Sequence, residues 1–243
     1  RFGVMRLIIL TTQTPHHAYF VREIAREFPT ELILNEITPL TAPFEVEHPF
    51  ETERDIYEQK TWFSGGNPSL AEASGSEMRP FASMNDPEAV ECLKTLSPDV
   101  VVVFGTGLLR PTVIATCPDG MINLHGGDPE GYRGLDTHLW AIYHGAFEDL
   151  ITTLHHVDPA LDNGDVIEKM NIPVSPGMKL HELRRANTEV CVELTKNALR
   201  IYQETGKFAS APQTEKGRMY SFMPEVLKDL CVRRFEFYTS RLP

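Results

Sequence analysis

Cysteine is scarce and scattered in this chain. Cys92, Cys117, Cys191 and Cys231 are the four among 243 residues. They form no C-x-x-C pair and no regular spacing, which argues against a disulfide framework and against a thiolate zinc cluster. Reduced thiols in a cytoplasmic protein are the expectation, with no metal. Long apolar runs are also missing. The longest early one, Leu7 to Leu10, is too short for a signal-peptide core or a membrane span, so no membrane partner is expected. Positive charge is in deficit: 23 Lys and Arg stand against 34 Asp and Glu, for a formal charge of −11. That balance argues against a broad electrostatic grip on nucleic acid, but it leaves room for a local basic pocket around one phosphorylated small molecule. No internal repeat or low-complexity tract is present. Residues 1–4 precede Met5, and a natural start at Met5 or one further upstream both stay open.

What is present is a chain that can bury a core, with 42% hydrophobic residues. Met5 to Thr11 reads as a buried strand, Pro15 as a first helical turn running into Ala18 to Phe28, and Leu32 to Ile37 as a second strand. That opening predicts a mostly parallel sheet with right-handed crossovers. From Thr38 to about Met84 the pattern degrades around one helix, Glu51 to Trp62, and reads as an insertion. Asp86-Pro87-Glu88 opens another helix, and the five apolar residues Val100 to Phe104 predict a strand buried on both faces. Strands at Gly120 to Leu124, Thr152 to Val157 and Val166 to Ile172 follow, with a helix at Asp136 to Tyr143. The longest helix, Leu180 to Glu204, carries an apolar stripe and stops at Gly206. The division expected is an α/β domain over residues 5–206, with its insertion at about 38–84, and a short aromatic-rich appendage over 207–243.

Ligands of open α/β sheets bind beyond the carboxyl ends of the strands. Three loops at such ends have unusual composition: Gly105-Thr106-Gly107, Asn123-Leu124-His125-Gly126-Gly127, and Asp158 to Gly164. Asn123 and His125 are two apart, so on a strand end they face the same side. Gly126 and Gly127 let backbone or ligand come close. An amide and an imidazolium can both donate to an oxyanion, and a nearby carboxylate such as Asp162 can hold the imidazole protonated or take a proton from an attacking amine. Taken alone, the N-x-H pair also reads as a structural pair, and Asp162-Asn163-Gly164 as an ordinary turn.

Three linked segments narrow the choice. NLHGGDPEGYRG (residues 123–134), the Leu161-Asp162-Asn163-Gly164 loop 37 residues after the histidine, and DVVVVFGTGLLRP (residues 99–111) stand in order. Together they resemble the signature of the N10-formyltetrahydrofolate-dependent formyltransferases. The resemblance implies a Rossmann-like fold with helices on both faces and N10-formyltetrahydrofolate as co-substrate. It implies catalytic roles for Asn123 (formyl oxygen), His125 (developing oxyanion) and Asp162 (orienting or charging the histidine, and deprotonating the amine). Gly105, Thr106, Gly107, Leu108, Leu109, Asp158 and Leu161 would line the pterin pocket, mainly with backbone groups. His155 or His156, whichever faces inward, is expected to be structural, and His138 and His144 to be bystanders.

The acceptor follows from departures. Thr11 to His17 replaces the Gly-Ser-Asn phosphate loop of glycinamide ribonucleotide transformylases. Only a short tail follows the long helix, where methionyl-tRNA formyltransferases carry a barrel. The branch that formylates nucleotide-linked amino sugars (GDP- or dTDP-4-amino-4,6-dideoxy sugars) for lipopolysaccharide O-antigen is therefore expected. In that case Gly126, Gly127, Arg133 and Tyr220 lie on the substrate side and the protein is a homodimer. Another small-amine acceptor, or a vestigial folate-binding protein, is the alternative.

Overall fold

The computed structural model describes residues 5–243; residues 1–4, including the stretch before Met5, lie outside the described residues. The chain opens with β1 (Leu7–Thr11), α1 (Pro15–Ala25) and β2 (Thr30–Glu36). Thr14 caps α1 by accepting from the His17 backbone N–H, and Pro15 occupies the first turn, where its missing N–H costs nothing. Next come α2 (Pro49–Phe63), α3 (Leu70–Ser74), β3 (Met78–Phe81), α4 (Pro87–Leu96) and β4 (Val100–Phe104). They are followed by α5 (Pro111–Ile114), β5 (Met121–His125), β6 (Tyr132–Gly134), α6 (Thr137–His144), β7 (Ile151–His156) and β8 (Val166–Asn171). α7 (Leu183–Thr205), β9 (Arg218–Tyr220) and α8 (Glu225–Thr239) end the chain.

One seven-stranded sheet runs β3-β2-β1-β4-β5-β7-β8. The first five strands are parallel, and β7 and β8 are antiparallel additions. Strand alternation sorts the core into two layers. Leu7, Ile9, Val100, Val102 and Ile122 pack under α1 and α7, whereas Ile8, Leu10, Val101, Val103 and Met121 pack under α4 and α5. Helices therefore cover both faces, as the unbroken apolar run of β4 requires. Each such buried aliphatic side chain contributes about 1.5–3 kcal/mol through removal from water.

Two stretches differ from the sequence expectation in instructive ways. The excursion over 38–84 returns to the sheet: β3 pairs in parallel with β2, with Pro80 opposite Asn35. Met78-Arg79-Pro80-Phe81 does not read as a strand because proline breaks the pattern, yet an edge strand tolerates a missing N–H. The C-terminal tail does not hang free of the domain. β9 pairs with β6, and Phe235, Cys231 and Met223 share a third core with Tyr132, Ile142 and Phe50. Lys228 of α8, buried, reaches back to Glu51 of α2 at 2.9 Å and to the Val46 carbonyl at 2.5 Å. The four cysteines are free thiols. No helix among the described residues is long and apolar enough to cross a membrane.

Candidate active site

β5 delivers Asn123 and His125 to the carboxyl end of the sheet, and the antiparallel register places His155 of β7 directly opposite Asn123. The hydrogen bonds assign the tautomers. His155 Nδ1 donates to the His156 carbonyl at 2.7 Å, so its Nε2 accepts from Asn123 Nδ2 at 3.2 Å. One amide N–H of Asn123 is thereby used and its second remains for another acceptor. His125 Nε2 donates to the Tyr132 carbonyl at 2.7 Å, which turns Nδ1 toward Asp162, 3.5 Å from Oδ1. Asp162 adopts the left-handed region at φ 51°, and its Oδ2 accepts the Gly134 N–H at 2.8 Å. Left-handed backbone is unusual for a residue with a side chain, and Asp is among the few that tolerate it.

Protonation differs from the sequence expectation. Burial lowers the His125 pKa, and the neighbouring Asp162 carboxylate opposes that shift without overcoming it. The ring is neutral near pH 7 rather than held as an imidazolium, and with Nε2–H given to Tyr132 its Nδ1 carries a lone pair. Burial alone would raise Asp162, but the protonated forms of His155 and His125 and the Gly134 N–H pull it below the usual carboxylate value. A bare nitrogen and a carboxylate 3.5 Å apart form an incomplete pair that a single incoming proton completes. The arrangement suits proton capture from an attacking nucleophile.

The Asp162 loop is held from behind. Arg133, 2% exposed, donates to the Pro129 carbonyl at 3.2 Å, to Asn163 Oδ1 at 3.1 Å and to Gln213 Oε1 at 3.0 Å. Gln213 in turn donates to the carbonyls of Asp162 and Gly164, both at 2.9 Å. A Cβ at Gly164 would overlap the His156 carbonyl, so the loop's glycine is set by close approach to β7. Gly127 likewise makes room for the protein's own imidazole: a Cβ there would lie 2.9 Å from His125 Nε2. Arg133 therefore braces the Asp162 loop and lines neither cavity described below, although the sequence places it on the substrate side. Arg133→Leu strips donors from one buried and two half-buried oxygens and should cost about 3 kcal/mol, lowering Tm by roughly 6–12 °C. A variant whose Tm is unchanged would show that the brace is idle.

Two cavities meet at His125. The first, about 300 Å³, is lined by Gly105 to Leu109, Asn123, His155, Asp158, Leu161 and Asp162. All seven residues expected on the pterin side border it. Its loop is pinned by the Glu36 carboxylate, which accepts the Gly107 and Met84 N–H groups at 2.7 Å each. Leu108 and Leu161, 54% and 37% exposed, leave apolar surface at its rim. The second cavity, about 250 Å³, lies across Gly126 and Gly134 and includes Phe50, Arg54, His138, Arg184 and Asn187. Tyr220 borders neither. It stacks on Tyr132 and Trp140, with ring centroids 5.4 and 5.2 Å away, and its hydroxyl reaches His144 at 3.2 Å. Packing explains Tyr220, although the sequence places it beside substrate.

His16 and His17 did not stand out in the sequence, yet both line the first cavity and His16 the second as well. Thr14 Oγ lies 2.8 and 2.9 Å from their Nδ1 atoms, and Thr12 Oγ 3.0 Å from that of His17. Burial and then the charge of Arg184 hold His16 well below its ordinary pKa and push His17 down to about 3. The only signal was a run of threonines ahead of paired histidines. His138, expected as a bystander, borders the second cavity and is pushed down to about 4 by burial. Among the described residues no group of three or more His, Cys, Asp or Glu is placed to hold a metal ion.

Comparison with known proteins bears on family and fold. A family model described as formyl transferase matches residues 57–199. A methionyl-tRNA formyltransferase from Caldanaerobacter subterraneus subsp. tengcongensis is 31% identical over 154 residues, covering 63% of this chain and 48% of that protein. The one from Clostridioides difficile is 31% identical over 147 residues, covering 60% and 46%. The chain thus spans about half the length of the curated relatives it matches. Among solved structures, glycinamide ribonucleotide transformylase 1 from Symbiobacterium toebii superposes with a TM-score of 0.62 at 18% identity, covering 87% of this chain and 96% of that one. A Mycobacterium tuberculosis protein provisionally described as a sugar N-formyltransferase gives 0.58 at 16%, covering 89% and 75%. HypX from Aquifex aeolicus, in complex with tetrahydrofolic acid, gives 0.57 at 19%, covering 98% and 35%. These structures share the fold.

Proposed function

We propose that this chain, which belongs to the formyl transferase family, moves the formyl group of N10-formyltetrahydrofolate to the amine of a nucleotide-linked amino sugar. The observation that carries the reading is the meeting of two cavities at His125, with the Asn123 amide on one side and the Asp162 carboxylate beside it. The folate donor occupies the first cavity, where the Gly105–Leu109 backbone and the apolar rim of Leu108 and Leu161 receive the pterin. The acceptor enters by the second. As the amine nitrogen bonds to the formyl carbon, the carbonyl electrons move to oxygen, and the second N–H of Asn123 stabilises that oxyanion. His125 Nδ1 takes the amine proton, sharing it with Asp162, and the proton is returned to N10 as the carbon–N10 bond breaks.

Support for a sugar acceptor over glycinamide ribonucleotide lies in the β1–α1 loop. Gln13 is spent on the Pro68 carbonyl at 3.1 Å and the Leu70 N–H at 2.9 Å, and Thr12 and Thr14 on the buried histidines. These side chains are engaged within the protein, Gln13 with the backbone around the start of α3 and the threonines with the histidines. The role that fits is the building of lipopolysaccharide O-antigen sugars.

Formyl transfer is expected with GDP- or dTDP-4-amino-4,6-dideoxy sugars, and not with glycinamide ribonucleotide or methionyl-tRNA. Turnover of either of the latter two alone would overturn the acceptor assignment. The pH profile adds a check. His125 and Asp162 are both shifted below their ordinary values, and the acceptor's own amine must be neutral to attack. Protonation removes its lone pair, and kcat/KM should fall from about pH 8 to about pH 6. The inflection should move when an acceptor of different amine basicity is used. A flat profile would show that amine attack does not limit the rate.

A further inference from the structure

We propose that Arg54 of α2, with Arg184 of α7 behind it, forms an anion-binding wall in the second cavity and holds the acceptor's diphosphate there. The inference rests on the donor and acceptor cavities assigned above. Arg184 is already paired with carboxylates through Nε and one terminal nitrogen. Its Nε donates to Glu58 Oε1 at 2.8 Å, and one terminal nitrogen reaches Glu58 Oε2 and Asp55 Oδ1, both at 2.6 Å. Glu58 is fully buried and bonds to Arg184 through both oxygens. Arg54 is in the opposite condition. Its Nε donates to Asp55 Oδ1 at 3.3 Å, and its next carboxylate, Glu51, is 3.9 Å away. Neither anion is its own: Asp55 lies closer to Arg184, and Glu51 is bound by Lys228 at 2.9 Å and by the His48 N–H at 3.0 Å.

Four of the five N–H donors of Arg54 therefore have no hydrogen bond among the described residues. The side chain is only 19% exposed, and the guanidinium borders the second cavity. Burial, and then the charge of Arg184, disfavour the cation there. Asp136, the carboxylate bordering the same cavity, is engaged by the Met223 N–H at 2.8 Å. Asn187 already accepts from Thr152 at 2.5 Å. What remains is the pair of terminal guanidinium nitrogens of Arg54, to which no residue among those described is hydrogen-bonded, and such a pair can take two oxygens of a phosphate side by side. The amine of the same ligand then lies toward His125, which borders this cavity too. At about 250 Å³ the cavity is at the small end for a ligand site, so it suits the sugar and phosphates, with the nucleoside extending outward.

The test uses the full chain with inorganic pyrophosphate as probe, and succinate to separate phosphate from carboxylate recognition. Pyrophosphate should raise Tm in the wild type and succinate much less, and the pyrophosphate shift should vanish in Arg54→Gln. With the nucleotide-linked acceptor, Arg54→Gln should raise KM about tenfold or more, while KM for the folate donor stays within about twofold. Arg54→Lys keeps the charge without the fork and should recover part of both effects, and it serves if the glutamine variant does not fold. No pyrophosphate shift in the wild type, or an equal shift in Arg54→Gln, overturns the anion wall. A succinate shift as large as the pyrophosphate shift overturns the diphosphate assignment. An Arg54-dependent pyrophosphate shift without formylation of any amino-sugar nucleotide would leave the wall standing and sink the proposed acceptor. Formylation of such a sugar with unchanged KM in Arg54→Gln would do the reverse.

Discussion

His125→Gln lowers kcat/KM for formyl transfer by a factor of about 10²–10⁴ and leaves the protein folded. Glutamine is the informative choice because its amide nitrogen reaches where Nε2 was. It can still donate to the Tyr132 carbonyl, which His125 binds at 2.7 Å. What disappears is the lone pair on Nδ1, the atom facing Asp162. An alanine would remove both, leaving the buried carbonyl unpaired at a cost of about 1–3 kcal/mol, and its rate loss would mix chemistry with loosening. Steady-state kinetics beside a thermal melt separates the two. A glutamine variant that keeps more than about a tenth of wild-type kcat/KM would rule out His125 as the proton acceptor.

Asp162→Asn should cost activity on a similar scale, about 10²–10⁴, for a different reason. Asparagine tolerates the left-handed backbone at φ 51°, and its carbonyl oxygen can still accept the Gly134 N–H. The substitution removes little besides the charge. Without that charge the captured proton has no counterion, and the His125 pKa, which Asp162 raises, falls further. Histidine titration by NMR would read this directly, and an upward shift would contradict the arrangement. Stability gives an independent check. The folded-state pKa of Asp162 lies below its ordinary value, so its contribution is present above the unfolded pKa and is lost as pH falls through the folded one. Acidification below about pH 4 should therefore destabilise the wild type more than Asp162→Asn.

The parts of this protein legible in the sequence are those fixed by local pattern. Val100 to Phe104 could only be a strand covered on both faces, and the α1 cap, the long helix and its glycine stop all follow from neighbours in the chain. The Asn123, His125 and Asp162 set was legible as spacing, and the sheet brings all three within one network. Illegible were the features decided by partners far away. Arg133 reads as a cation near substrate until Gln213, 80 residues on, is seen to accept from it. β3 hides behind Pro80, because edge position is a property of the sheet and not of the segment. His16 and His17 look like polar loop residues, and only burial makes them neutral rings beside a cavity. The charge state of His125 is illegible for the same reason: spacing shows that a carboxylate is near, but it does not show how much water has been removed.

The clamp on the Asp162 loop bears on how this chain can be cut. A fragment ending at residue 206, just past α7, would keep Asn123, His125, Asp162 and both cavity-lining loops. It would lack Gln213, whose amide ties down the carbonyls of Asp162 and Gly164. It would also lack β9, which pairs with the strand that carries Arg133 and Gly134. Every reacting group would be present, and the loop that aims the carboxylate would be loose. The smallest unit that retains the aimed site reaches at least through Tyr220.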